Sequence, residues 1–195
     1  MSHPLDLRDV PGYRAHFPVL KDKQLIGRGL YSRVYEGTRP DTVLKLSNDP
    51  TFRDFIHKKQ GVVGLPALIH DYGNMDYSPY SELYLVELNR LKPLHRWDHI
   101  QLKLERDALR NAIEYRIDRI ETFLPMAPCQ HLHALGLLEL ARSGLFSEAA
   151  QSALTAIAEY MDETKFDLIL DLFNPDNYMT NGSHLVITDP FQLVT

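Results

Sequence analysis

The apolar and polar positions along the chain sort into a strand-rich first half and a helical second half. Residues 1–22 read as an extended lead-in, because Pro4, Pro11 and Pro18 discourage helix. Residues 23–47 suit strands: Leu25-Ile26 and Arg33 to Glu36 flank a glycine loop, Gly37 to Asp41 is a turn, and Thr42 to Leu46 returns. A helix follows. Asp49-Pro50 offers an N-cap with proline at the first helical position, and Thr51 with Asp54 offers a competing capping box. Gly61 and Gly64 bound that helix, and Ala67 to His70 and Leu83 to Glu87 read as two more strands separated by a polar, aromatic turn region. From residue 94 the period becomes helical. Trp97, Ile100 and Leu104, then Leu109, Ile113, Ile117 and Ile120, recur at three- and four-residue steps, with Asp98 as cap and Pro125 as stop. A second helix spans His131 to Ser143, with Leu132, Leu135 and Leu138 on its apolar side and Gly144 at its end. Ser147 caps a third, with Ala150, Ala153, Leu154 and Ile157 inward. Leu168 to Leu170 and Leu185 to Thr188 are short strands.

The expected fold class is therefore α+β, with an antiparallel sheet first and helices second. The domain reading is a lead-in at 1–22, a first lobe at 23–90 and a second lobe at 91–195, with a cleft between the lobes. At 44% hydrophobic and 24% charged residues, the chain has enough apolar surface for a packed core, which argues against global disorder. A net charge of −5 argues against a nucleic-acid-binding surface. Cys129 is the only cysteine, so no internal disulfide can form, which fits a reducing cytosol. No signal peptide is visible at the start, and no apolar run approaches the ~20 residues of a membrane span. These features predict a cytoplasmic protein without a membrane partner; they leave the oligomeric state open.

The candidate chemistry lies in four segments. Gly27-Arg28-Gly29-Leu30-Tyr31-Ser32 is a loop in which side chains at 27 and 29 would keep backbone amides from a phosphate, and Val34 would roof an adenine. Lys45, on a strand among Val43, Leu44 and Leu46, offers a cation for the α- and β-phosphates. In the protein kinases that this pattern resembles, such a lysine is steadied by a glutamate on the next helix. No Glu occurs between Glu36 and Glu82, and Asp54 is the acid in the helix body. The strand Leu83 to Asn89 leads into a linker that resembles the hinge of a protein kinase, and the resemblance implies that backbone groups near Glu87 and Asn89 bond the adenine edge. In the tail, Asp171 is the candidate base for an attacking hydroxyl. Asn177, through its amide oxygen, and Asp189, twelve residues later, are candidate ligands for Mg²⁺. Read separately, each segment is also an ordinary turn or strand; the glycine loop alone reads as a tight hairpin. The order of all of them points to a site for ATP and its metal. Cys129, His131 and His133 lack a second ligand pair at finger spacing and read as a helix start with solvent-facing histidines. His95 and His99 lack the glutamate of a zincin helix, and the mixed charges at 103–121 read as a solvated face.

The run from Leu25 to Tyr35, followed by Val43-Leu44-Lys45-Leu46, resembles the first lobe of eukaryote-like protein kinases. Asn177-Tyr178-Met179-Thr180-Asn181-Gly182 and Val186-Ile187-Thr188-Asp189-Pro190 are similar to the early serine/threonine protein kinases of lytic podoviruses, as is Gly64-Leu65-Pro66. The architecture also resembles minimal effector kinases of bacterial pathogens. The resemblance implies a minimal two-lobed kinase fold with a truncated helical second lobe, and transfer of the γ-phosphate of ATP to a host protein. Gly27, Gly29 and Ser32 would cover the phosphates, Lys45 would pair with them, Asp171 would be the base, and Asn177 and Asp189 would hold the metal. The chain departs from the pattern in several places. Ile169-Leu170 stand where His-Arg is usual, one extra residue separates Asp171 from Asn177, and Pro190-Phe191 replace Phe-Gly. Six residues follow Asp189, leaving no room for an activation loop. Two alternatives remain: a pseudokinase that binds and inhibits a host protein, and a small-molecule phosphotransferase.

Overall fold

The computed structural model of the chain describes residues 10, 12–78, 81–94, 99–123 and 129–193. It is α+β and divides into two compact units. One holds the described residues up to Gln60 together with Ala67–Arg90; the other holds Gly61–Pro66 and the described residues from Leu91 onward.

The first unit is an antiparallel sheet. Strands β1 (Leu25–Arg28), β2 (Ser32–Glu36), β3 (Thr42–Ser47), β4 (Leu68–Ser78) and β5 (Ser81–Asn89) lie in the order β1-β2-β3-β5-β4. Alternation along β3 splits its side chains between faces. Leu44 and Leu46 are fully buried with Tyr35, Leu83 and Leu85, and Val10, Phe17 and Leu20 complete that cluster. The lead-in is thus corrected. Instead of running extended, it forms a short helix α1 (Tyr13–His16) and a 3₁₀ turn (Pro18–Leu20) that begins at proline. The aromatic and aliphatic residues of the lead-in bury themselves in the sheet's core cluster. Pro18 starts a turn there rather than forbidding one. The turn region expected between residues 71 and 82 is also corrected. β4 and β5 run on as a long hairpin, with register shifts between Asp71 and Asn74 and between Asp76 and Ser78. Bulges let polar and aromatic residues stay in a ladder without clean alternation.

Helix α2 (Pro50–Lys58) starts where Asp49 and Pro50 predict. The Asp49 carboxylate accepts from Thr51 N at 2.9 Å and Phe52 N at 3.4 Å. The competing capping box does not form; Thr51 is buried, and Asp54 pairs with Lys58 one turn on at 2.9 Å.

The second unit holds β6 (Lys92–Pro93), α3 (Ile100–Phe123), α4 (Cys129–Arg142), α5 (Glu148–Glu163), β7 (Leu168–Leu170), β8 (Tyr178–Thr180), β9 (Leu185–Ile187) and β10 (Phe191–Leu193). The α5 prediction holds. Ser147 caps it, and Ala150, Ala153, Leu154 and Ile157 are each at most 1% exposed. α3 buries Leu109, Ile113 and Ile117, but Ile100 and Leu104 are 55% and 58% exposed. In α4 the inward face is Ala134, Leu137, Leu140 and Ala141, whereas Leu135 is exposed. Leucines on both sides of that helix make its periodicity ambiguous. His95, Trp97, Asp98 and Pro125 lie outside the described residues.

The loop Gly61–Pro66 belongs with the second unit for a concrete reason. Ile187 N donates to Gly64 O at 2.9 Å, and a Cβ on Gly64 would stand 2.2 Å from Ala149 O. With φ at +87°, Gly64 is required by both space and backbone.

Candidate functional site

Cross-strand pairing assembles the first unit's candidate residues. Gly27 pairs with Val34, Val34 with Lys45, and Lys45 with Val86, so these residues share one face of the sheet, opposite Leu44 and Leu46. The glycine loop is a tight hairpin: Gly29 N donates to Ser32 O at 3.0 Å. Arg33 Nη1 donates to both Gly29 O and Ser32 O at 2.7 Å, and the Tyr31 carbonyl at the tip accepts from Ser47 Oγ at 2.8 Å. Neither Gly27 nor Gly29 has a positive φ. A Cβ at 27 would make ordinary contact with Val34 Cβ at 3.4 Å, so the hairpin's own geometry does not demand glycine there. At Gly29 a Cβ would meet the Ser32 hydroxyl at 2.8 Å.

Lys45 Nζ stands 3.3 Å from the centroid of the Phe52 ring. Phe52 lies in the first turn of α2, and the Asp49 cap fixes the phase that turns it inward. That cap was readable in the sequence and could have pointed to Phe52. The helix is tied to β4 through Asp71. Arg53 Nε and Nη2 donate to its Oδ2 at 3.0 and 2.9 Å, His57 Nε2 lies 2.6 Å from the same oxygen, and Gly73 N donates to Oδ1 at 2.7 Å. Burial works against ionising Asp71, but the Gly73 N–H, His57 and Arg53 outweigh it and hold the carboxyl below the usual carboxylate range. A groove of about 400 Å³ opens beside this cluster, lined in part by Asn48, Arg53, Asp71 and Tyr84.

Glu87 carries more than a backbone role. Its side chain is 3% exposed. Oε1 accepts from Thr38 N at 2.8 Å, from Thr38 Oγ1 at 2.6 Å and from Thr42 Oγ1, and Oε2 accepts from Tyr72 OH at 3.0 Å. Burial raises its pKa, but the threonine and tyrosine donors prevail and bring it to about 2. Burial and the bond to Glu87 push Tyr72 up to about 12. The Asn89 N–H, expected near an adenine edge, donates instead to Ala67 O at 3.1 Å, and Asn89 Oδ1 accepts from Ala67 N at 2.7 Å. These bonds fasten the start of β4.

The second unit brings Asp171, Asn177 and the chain on either side of Asp189 together. Asn177 Nδ2 donates to Asp171 O at 2.7 Å and to Asp171 Oδ2 at 2.9 Å. This fixes the amide with its oxygen on the other side, the one atom of that group suited to a hard cation. Asp171 N donates to Pro190 O at 2.8 Å, and Thr188 N donates to Asn177 O at 2.8 Å. Leu170 pairs with Phe191 and Tyr178 with Ile187, so β7–β10 and β8–β9 bracket the same spot. Between Asp171 and Asn177 the chain closes with a 3₁₀ turn (Pro175–Asn177) capped by Asn174.

Two anchors of this loop were not foreseen. Tyr178 OH donates to Leu172 O at 2.8 Å, and burial pushes that phenol well above its ordinary value. Arg110 Nε, from the stretch of α3 read as a solvated face, donates to Phe173 O at 2.8 Å. Among the described residues no group of three or more His, Cys, Asp or Glu side chains gathers at a metal-binding spacing. His131 pairs with Asp162 at 2.6 Å, and His133 is buried rather than facing solvent. No helix among the described residues is long and apolar enough to cross a membrane.

Neither protein-family models nor curated protein sequences give a match to this chain.

Proposed function

We propose that this chain is a minimal serine/threonine protein kinase of the two-lobed kinase type, transferring the γ-phosphoryl group of ATP to a protein of a host cell. The observation that carries the reading is the stitching of Asp171 and Asn177 to the segment bearing Asp189. Two backbone bonds, Asp171 N to Pro190 O and Thr188 N to Asn177 O, hold a base and two oxygen ligands on one framework. The Gly27–Val34–Lys45 row supports it, because the glycine at 27 serves no need of the hairpin itself. Asp171 accepts the proton of the attacking hydroxyl as the new P–O bond forms and the bond to the departing ADP oxygen breaks. Asn177 holds the Asp171 carboxylate in place through Nδ2. Asn177 Oδ1 and the Asp189 carboxylate are hard oxygen donors that suit Mg²⁺, which when bound neutralises phosphate charge. Lys45 adds a cation for the non-transferred phosphates. The host target rests on the resemblance to podoviral and effector kinases alone.

The test is incorporation of labelled phosphate from ATP into proteins of a host extract and into the chain itself. Lys45→Ala, Asp171→Ala and Asp189→Ala are each expected to lower it by ~10²-fold or more. Full activity in Lys45→Ala would end the assignment.

A non-catalytic binding module is the second reading. It is favoured by two amides already engaged inside the fold, Gly29 N with Ser32 O and Asn89 N with Ala67 O. On this reading Mg·ATP leaves the melting temperature unchanged.

A further inference from the structure

We infer that Asn181 is a modification site, a centre of spontaneous deamidation that the fold keeps closed through Thr180. The sequence holds one asparagine followed by glycine, Asn181-Gly182. Glycine has no Cβ, so its backbone nitrogen lies open to the side chain before it. The pair sits in the turn between β8 and β9, beyond the last strand pair, Thr180 with Leu185. The turn itself calls for both residues. Gly182 has φ at +104°, where glycine is favoured. The Asn181 side chain folds back onto the residues that follow it. Its Oδ1 accepts from Ser183 N at 3.0 Å, from Ser183 Oγ at 3.0 Å and from His184 N at 3.1 Å. Asn181 and Gly182 are exposed, so water and base reach them. None of this depends on the proposed kinase reading.

In the reaction Gly182 N gives its proton to a solvent base and forms a bond to Asn181 Cγ. The Cγ–Nδ2 bond breaks, and Nδ2 leaves as ammonia with a proton from water. Water then opens the cyclic imide at one of its two carbonyls and leaves an aspartyl or an isoaspartyl residue at 181. No oxidant or reductant takes part. In the closed turn both reacting groups are held. Gly182 N donates to Thr180 Oγ1 at 2.8 Å, and Thr180 Oγ1 donates in turn to His184 O at 2.8 Å. Thr180 is fully buried, so this acceptor is shielded from solvent. An N–H held on an acceptor gives up its proton less readily. The three donors on Oδ1 fix the amide, and Nδ2 lies 3.1 Å from His184 Nε2. Cγ swings onto Gly182 N only when those bonds open. The hydrogen bonds that close the turn are thus the ones that keep it unreactive, and its chemical lifetime follows local opening. The isoaspartyl product carries an extra main-chain methylene, so the turn no longer fits its strands. Those strands lead back to Asn177 and on to Thr188, whose N–H donates to Asn177 O at 2.8 Å.

The test incubates the folded chain beside the same chain unfolded in guanidinium chloride, at neutral pH. The product is read by mass spectrometry of the peptide that bears residue 181 and by its isoaspartyl content. The folded chain is expected to react at least ~10-fold more slowly. Equal rates overturn the proposal without need of any variant. Asn181→Gln, whose longer side chain closes the imide ring far less readily, is expected to remove the product; a product that survives there belongs to another residue and overturns the assignment. Hydrogen exchange of the Gly182 amide reads the gate directly: it is expected to be protected, and exchange at the unfolded rate overturns the role of Thr180. Thr180→Val keeps the side chain's shape and removes the acceptor. With the fold retained in amide spectra, it is expected to raise the folded rate by ~10-fold and leave the unfolded rate unchanged. A folded rate unchanged in Thr180→Val overturns the gate. The purified isoaspartyl form is expected to melt a few degrees lower than the unmodified chain. An unchanged melting temperature overturns the effect of the modification on the β8–β9 pairing.

Discussion

The two units assemble their candidate residues by different means. In the first, a ladder of paired strands carries Gly27, Val34, Lys45 and Val86 across four strands as one row, with one register shift between Leu25 and Gly27. In the second, the paired strands β7, β8, β9 and β10 are three residues each. Asp171, Asn177 and the Asp189 segment meet there through individual hydrogen bonds. A long ladder tolerates the loss of one contact, because neighbouring pairs keep the register. A loop held by single bonds does not. The first unit should therefore fail through its buried polar knot and its core, and the second through single close contacts.

The largest effect is expected at Gly64. An alanine there places a methyl against the Ala149 backbone and forces a non-glycine residue to φ +87°. A loss of ~3 kcal/mol or more follows, visible as a fall in melting temperature. An unchanged midpoint would mean that the loop 61–66 is not pinned to the second unit.

Next is Glu87. Its pKa of about 2 in the folded chain lies below its ordinary 4.5, so its stabilisation is complete above about pH 4.5 and is lost as pH falls toward 2. The gap corresponds to at most ~3 kcal/mol. Glu87→Gln should flatten the acid limb of stability between those pH values. Urea titrations at several pH values test this, and an identical acid limb in the variant would assign that limb to other groups.

Arg110→Met keeps the stem and removes the donor to Phe173 O. The expected cost is ~1 kcal/mol of stability and, on the proposed kinase reading, a several-fold drop in phosphate transfer with KM for ATP unchanged. A change confined to KM would place Arg110 at the nucleotide instead. The smallest effect is at Asp49. Removing the cap with alanine should cost ~1 kcal/mol, as a melting shift of a few degrees.

Much of the first unit was legible because its signals are local. Asp49-Pro50 fixed the start of α2, and the apolar spacing of Ala150, Ala153, Leu154 and Ile157 gave the buried face of α5 in the second unit just as directly. The lead-in misled because proline was read as a helix breaker, while the burial of Val10, Phe17 and Leu20 depends on a sheet far along the chain. Glu87 was marked for its backbone, and nothing in the strand Leu83 to Asn89 announces that Thr38, Thr42 and Tyr72 converge on its carboxylate. Arg110 was hidden among the mixed charges of α3.

By itself the sequence determined the α+β order, the caps of α2 and α5, the glycine hairpin and the strand that carries Lys45. Each of these depends on residues within a few positions of one another. Only the tertiary structure decided that Leu170 meets Phe191, that Asn177 turns its amide to Asp171, and that an aromatic ring stands at the lysine head. Three-residue strands have no periodicity to read. The partner of a buried polar group is chosen by whichever distant donor the packing brings within hydrogen-bond reach.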